Sequence, residues 1–387
     1  MRRIAILLIL QMLFAVPGYA QERARDLGIP FDGTPGPYNA ITDVAGITVG
    51  QATLHGKSAQ GKAIHTGVTA ILPRGKASGS TPVFGAWFAQ NGNGEMTGTA
   101  WIDESGNLEG PIMLTNTHSV GVVRDAVIAY RVAQGDADVS GYWWSLPVVA
   151  ETWDGHLNDI NGFHVKPEHA VQAIESAHGG KLEEGNVGGG SGMICHEFKC
   201  GIGTASRQIK IDGKTYTLGV LVQANYGMRD SLRIAGVPVG QYLRNDRVYS
   251  EDMPKPAETG SIIVVLATDA PLLPQQLKRI AKRATLGLGR MGSYAGNGSG
   301  DIFVAFSTAN SAAQSGAVLR SAQFINNDDL DGLFEASVQA TEEAIVNAMV
   351  AAKDVMDGID GHYAKAIDHR ALIAILKKFN RYQKPKQ

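Results

Sequence analysis

With 387 residues, 44% of them hydrophobic and 19% charged, the chain has ordinary globular composition and the length for one large domain or two closely joined ones. A formal net charge of -2 with no block of like charges excludes the basic field of a nucleic-acid binder and leaves a small or neutral partner.

Met1-Arg2-Arg3, the apolar run over residues 4–16 and then Pro17-Gly18-Tyr19-Ala20 have the three-part layout of a secretory signal cleaved after Ala20. That run falls short of the roughly 20 residues that span a bilayer, and no later segment is long and apolar enough. The expectation is a signal peptide at 1–20 and a soluble mature protein, periplasmic or secreted, with no membrane association once the signal is removed. Residues 21–39, rich in Gly, Pro and charge, read as an extended arm.

Residues 47–54, 67–72 and 83–88 are short, rich in Val, Ile, Thr and aromatics, and separated by Gly/Pro clusters, so they read as strands. Asn91-Gly92-Asn93-Gly94-Glu95-Met96-Thr97-Gly98 follows as a polar loop, more commonly a surface feature than a site wall. Over 118–133, Val120, Val123, Ala126, Val127 and Tyr130 recur at helical steps, with Asn116 or Thr117 as the cap. A strand over 146–150 leads into Glu151-Thr152-Trp153-Asp154-Gly155, and a helix over 167–177 comes next. Acidic and aromatic groups at a strand end suit a pocket for an amine, although a solvated Glu151 and a core Trp153 are as common.

Cys195 and Cys200 are the only cysteines. An oxidising compartment allows a local disulfide across a tight hairpin, and two buried free thiols stand equally open. Zinc is disfavoured, because no second Cys/His pair has matching spacing. The run 185–192 has the glycines of a phosphate loop but lacks its Gly-Lys-Ser/Thr ending, so its glycines are read as turns and close approaches. Residues 207–222 form a hairpin about Asp212-Gly213. Its second strand ends at Asn225, a candidate oxyanion donor and equally a turn residue.

Residues 233–256 are loop-like and deliver the chain to Glu258-Thr259-Gly260-Ser261, where a polar loop gives way to the apolar run Ile262-Ile263-Val264-Val265-Leu266. A serine made N-terminal carries a hydroxyl nucleophile beside its own base, an α-amine whose reference pKa of roughly 7.7 to 8.0 suits proton transfer near neutrality. Gly260 can adopt backbone angles that other residues avoid and let Ser261 approach its carbonyl. The Gly260–Ser261 bond is therefore read as a self-cleavage site, with the buried strand after it holding the nucleophile rigidly. Taken alone, Gly-Ser before a strand is usually a turn.

Pro274 starts a helix with Leu277, Ile280 and Ala281 inward. Gly296-Asn297-Gly298-Ser299-Gly300-Asp301 leads into a second apolar strand over 302–306, with Ser299 and Asp301 sharing a face if that strand begins early. Helices over 330–356 and after Asp368 close the chain. Asn327, Asp329 and Asp331 begin like a calcium loop, but position twelve is Val338, so helix capping is the better account. No metal site and no cofactor are called for.

Residues 188–207, Gln223-Ala224-Asn225-Tyr226-Gly227 and the stretch 259–310, with Gly-Ser followed by Ala-Thr-Asp-Ala-Pro-Leu-Leu-Pro and later Gly-Ser-Gly-Asp, resemble the self-processing β-peptidyl aminopeptidases and L-aminopeptidase D-esterase/amidases. The resemblance covers essentially the whole mature chain. It implies an α/β fold, a four-layer α/β/β/α sandwich like that of N-terminal-nucleophile hydrolases with different connectivity. It implies an α chain over 21–260 and a β chain over 261–387 in one composite domain, assembled as a tetramer or octamer.

By the same resemblance Ser261 is the nucleophile, Asn225 helps hold the oxyanion, and Ser299 and Asp301 orient the nucleophile. Glu151 receives the ammonium of a peptide or amide with a free N-terminal amine, and Trp153 adds apolar wall. Asp301 stands where Glu is expected, one methylene longer, and Cys200 where glycine is expected. The expected function is hydrolysis of N-terminal β-amino acid residues through an acyl-enzyme. The alternatives are an L-aminopeptidase/D-amino acid esterase-amidase of the same mechanism and, from a different class, an uncut periplasmic binding protein.

Overall fold

The computed structural model describes residues 22–135, 144–249, 258–311 and 317–384. The leader at 1–20 and the approach to the junction at 250–257 lie outside the described residues. In chain order the strands are β1 (Thr48–Lys57), β2 (Ala63–Lys76), β3 (Val83–Gly92), β4 (Asn107–Leu108), β5 (Ile112–Asn116), β6 (Val148–Thr152), β7 (Ile194–Cys195), β8 (Phe198–Lys199), β9 (Ile202–Ile211), β10 (Lys214–Asn225), β11 (Ser261–Thr268) and β12 (Gly300–Ser307). The helices are α1 (Thr99–Ser105), α2 (Val120–Ala133), α3 (Pro167–Glu175), α4 (Pro274–Arg290), α5 (Asp331–Val350) and α6 (His369–Lys378).

Two mixed sheets carry the fold. One has four strands in the order β1-β2-β5-β6, and the other six in the order β4-β3-β12-β11-β10-β9. Alternation along each strand divides the apolar residues among three cores. Ile71, Leu114, Val148 and Ala150 of the first sheet meet Leu221, Ile263, Val265, Val304 and Phe306 of the second, so the sheets are stacked face to face. On the outer side of the first sheet, Val68, Ala70, Met113 and Val149 pack on Val123 and Val127 of α2 and Ala170 and Ile174 of α3. On the outer side of the second, Val220, Ile262, Val264 and Phe303 pack on Leu277, Ile280 and Ala284 of α4 and on Leu333, Ala340 and Ala344 of α5. The order of layers is helix, sheet, sheet, helix, as the resemblance implied.

The Asp212-Gly213 hairpin forms as its turn dictates, both residues holding the positive φ of a two-residue loop. The N-terminal arm acts as a clasp: Arg23 Nε donates to Glu184 at 2.6 Å, and Arg25 Nε to Glu343 on α5 at 2.7 Å.

Three local expectations fail for tertiary reasons. Neither Asn116 nor Thr117 caps α2, which is entered through a 3-10 turn at Thr117–Ser119; both side chains are drawn to carboxylates instead. The last long helix ends at Val350 rather than near 356, because Asn186 captures the Lys353 backbone and Val355 pairs with Ala364. Asn327 does not cap α5; its Oδ1 accepts from Gln276 and Arg279 of α4.

Candidate active site

Ser261 is the first residue of β11, and all eight residues of that strand are buried. The strand lies in the middle of the six-stranded sheet, antiparallel to β10 and parallel to β12. Register sets Asn225 directly opposite Ser261 on one side and Gly300 on the other. Alternation puts Ser261 on the face of Ile263 and Val265, toward the other sheet, and Asn225 on the face of Gln223.

The bond before Ser261 is held closely. Gly260 O accepts from Gly300 N–H at 3.0 Å. Gly260 is required by space rather than by special backbone angles, since its φ is not positive. A Cβ there would lie 2.4 Å from both Asn225 O and Tyr226 Cα. Glu258, buried two residues earlier, accepts from Gly296 N–H at 3.1 Å and Ser293 Oγ at 3.2 Å, tying the junction to the loop before β12.

Asn225 bridges three segments. Its Oδ1 accepts from Ile194 N–H at 2.8 Å and its Nδ2 donates to Trp153 O at 2.7 Å. An amide NH2 has two donors, so one N–H remains for a substrate oxygen. Two residues back, Gln223 Nε2 donates to Thr115 O at 2.8 Å and Thr152 Oγ1 at 2.9 Å, fixing the end of β10 to β5 and β6 across the gap.

Ser299 Oγ donates to Asp301 Oδ1 at 2.7 Å, and both residues are fully buried. Asp301 pairs with Ile262 in the ladder and shares the helix-side face of Phe303, so the pair lies beneath the strand near Tyr226 and Glu258. Burial, opposed by the Ser299 hydroxyl and reinforced by Glu258, pushes the Asp301 carboxyl up to about 6. Burial also holds the Tyr226 phenol well above its ordinary value, with Asp301 and Glu258 adding to the effect.

Glu151, on β6, is buried and receives two donors, Glu95 N–H at 3.0 Å to Oε1 and Thr117 Oγ1 to Oε2. Burial raises its pKa against both. The polar loop after β3 is therefore a wall of this site rather than a solvated surface. A Cβ on Gly94 would lie 3.2 Å from Gly300 Cα and 3.4 Å from Glu151 Oε1, linking the Glu151 carboxylate to the residue beside Ser261. Trp153 is 46% exposed, its ring laid over Gly155 at the mouth. It is not a core residue.

Cys195 and Cys200 are joined by a disulfide, across the two-pair hairpin of β7 and β8. Among the described residues no group of three or more His, Cys, Asp or Glu is arranged to hold a metal ion. Sequence reasoning gave Thr117 only a capping role, quoted Gln223 and Glu258 without assigning them one, and favoured a surface reading of the 91–98 loop. The pairing of the sheets reveals what Thr117, Gln223 and the loop do.

The family model for peptidase family S58 matches residues 39–364. The chain belongs to peptidase family S58. Among S58 relatives, it is 56% identical over 386 residues to the β-peptidyl aminopeptidase BapA of Sphingosinicella microcystinivorans, covering 96% of each chain. The L-aminopeptidase D-Ala-esterase/amidase of Ochrobactrum anthropi, described as a prototype for the serine aminopeptidases and a new variant among the Ntn hydrolase fold, superposes with a TM-score of 0.86. It is 46% identical, the match covering 93% of this chain and 99% of that one. A β-aminopeptidase of Burkholderia sp. gives a TM-score of 0.83 at 47% identity, covering 92% and 99%. The fold is thus an α/β sandwich of the Ntn hydrolase type in a variant form, as the resemblance implied.

Proposed function

We propose that this chain cuts itself once between Gly260 and Ser261 and then acts as a serine aminopeptidase, releasing N-terminal β-amino acid residues from peptides and amides through an acyl-enzyme on Ser261. The observation that carries this reading is the register: a buried serine, preceded by a sterically required glycine, begins a central strand with a donor side chain directly opposite.

In self-cleavage the Ser261 hydroxyl adds to the Gly260 carbonyl and the peptide nitrogen leaves as the new α-amine. Water then hydrolyses the resulting ester to free the Gly260 carboxylate. Gly300 N–H, already on that carbonyl oxygen, is the natural donor to its developing charge. The products are an α chain over 21–260 and a β chain over 261–387.

In turnover the α-amine takes the Ser261 proton as the hydroxyl attacks the substrate carbonyl, and the free N–H of Asn225 stabilises the oxyanion. Ser299 and Asp301 hold the amine end of Ser261 from beneath the strand. The substrate ammonium goes to Glu151, which explains a demand for a free N-terminus, and Trp153 supplies apolar contact. The L-aminopeptidase/D-esterase reading keeps every one of these roles and is favoured by the likeness to the Ochrobactrum anthropi enzyme. Export to a periplasm or beyond and assembly as a tetramer or octamer belong to the same proposal.

Ser261→Ala tests it. The expected product is a folded, uncut chain with no activity on a β-aminoacyl p-nitroanilide, while the parent gives two masses meeting between Gly260 and Ser261 on denaturing mass spectrometry. An uncut parent, or a Ser261→Ala chain hydrolysing at the parental rate, overturns the assignment.

A further inference from the structure

An oxyanion donor accelerates a reaction only if it is aimed before the charge develops. A primary amide on one side-chain torsion is not aimed by its own chemistry; Asn225 is aimed by the two bonds to Ile194 N–H and Trp153 O. We propose that the bridged hairpin β7–β8 is the positioning element of Asn225, and that the Cys195–Cys200 disulfide and Lys199 act on the rate of reaction through it. This rests on the reading of Asn225 as the oxyanion donor.

The hairpin consists of just two residue pairs, Ile194 with Lys199 and Cys195 with Phe198, far too few to hold themselves together. Its turn is made by His196 and Glu197, with φ of 50° and 61°, the left-handed conformation that two-residue hairpins normally give to Asn and Gly. Non-glycine residues persist there only when their surroundings over-determine them.

Three ties do so. The disulfide ties Cys195 on β7 to Cys200, the residue after β8. Lys199, fully buried, donates from Nζ to Cys200 O at 2.6 Å, Met193 O at 2.8 Å and Gly190 O at 3.4 Å. Among the described residues no carboxylate pairs with it, so its donors are committed to the backbone on either side of Ile194. His196 N–H donates to Tyr226 O at 2.7 Å, locking the hairpin to the residue after Asn225 and beside Gly260. Every tie converges on the backbone that presents Ile194 N–H. Both cysteines are already fully buried, so packing alone does not require the bond between them. What the bond adds is a fixed hairpin.

The test measures kcat and KM for the self-processed enzyme, with rates referred to the cut fraction found by denaturing mass spectrometry. Asn225→Ala is expected to lower kcat by roughly 100- to 1,000-fold, the loss seen for a single oxyanion donor. Cys195→Ala/Cys200→Ala, and separately Lys199→Met, are expected to lower kcat by about tenfold with KM within about twofold, since aim is lost while the substrate-ammonium contacts remain. Added to Asn225→Ala, the cysteine pair should cause no further fall in kcat, because both changes remove the same interaction.

Unchanged kcat in the bridge-free enzyme overturns the proposal, as does a loss that multiplies with that of Asn225→Ala. Should the bridge-free chain not fold, Ile194→Pro removes the N–H that Asn225 accepts from, along with the Ile194 side chain and its freedom in φ, and unchanged kcat in that variant is equally fatal. If Asn225→Ala itself keeps its kcat, the oxyanion reading fails first and takes the hairpin role with it.

Discussion

Glu151 and Asp301 are both buried carboxyl groups raised by desolvation, yet they are built for different tasks. Glu151 has two hydrogen-bond donors and no ion pair among the described residues, and its carboxylate lies at the end of a strand beside the junction. A ligand ammonium would complete it. Glu151→Gln keeps the shape and removes the charge, so KM for substrates with a free amine should rise on the order of 100-fold, the scale of breaking one side of a buried charged pair. Steady-state kinetics on a β-aminoacyl p-nitroanilide and its N-acetylated form check this. Equal parental activity on both would remove Glu151 from the role.

Asp301 makes a pH prediction for the uncut Ser261→Ala chain. Burial holds its carboxyl up to about 6, against 3.8 for the free side chain. Between those values the folded state keeps a proton that the unfolded state has released. The contribution of this group is therefore complete below about pH 4 and lost as pH rises through about 6. Asp301→Asn has no such titration. Its unfolding free energy, from urea curves, should match that of the parent near pH 4 and exceed it well above pH 6 by on the order of 3 kcal/mol. Superimposable differences across that window would show an Asp301 that ionises as a solvated carboxylate does. Cleavage as proposed would create an α-amine on Ser261, next to the Ile262 that pairs with Asp301, and the effect should then shrink.

At the scale of elements, β11 accounts for how a chain cut before Ser261, as proposed, would remain one molecule. The strand sits between β10 and β12, so after cleavage its apolar residues Ile262, Ile263, Val264, Val265 and Leu266 stay covered on both faces. Exposing the five would cost on the order of 10 kcal/mol at roughly 2 kcal/mol each. The two fragments should co-elute on gel filtration under native conditions and separate only in denaturant; native separation would show that β11 is not the hinge of the fold. Two hairpins also differ in legibility. The one about Asp212-Gly213 is announced by its turn residues, whereas β7–β8 turns through His196-Glu197 and is signalled only by the spacing of its cysteine pair. It is tied by a disulfide, a buried lysine and a contact to Tyr226.

At the scale of the molecule, the site is made where the end of β10 reaches across from one sheet to β5 and β6 of the other. The amino-acid sequence by itself determined most of the strands and the amphipathic helices, because alternation and helical spacing are properties of neighbours along the chain; a glycine and serine before a buried run read locally as a turn. Through its motifs it also carried the family. Tertiary structure alone decided that Asn225 faces Ser261, that the 93–95 loop and Thr117 hold Glu151, and that Thr117 leaves its helix uncapped to do so. Those choices depend on which strand lies beside which. A buried carboxylate competes for donors with a force that no local propensity matches.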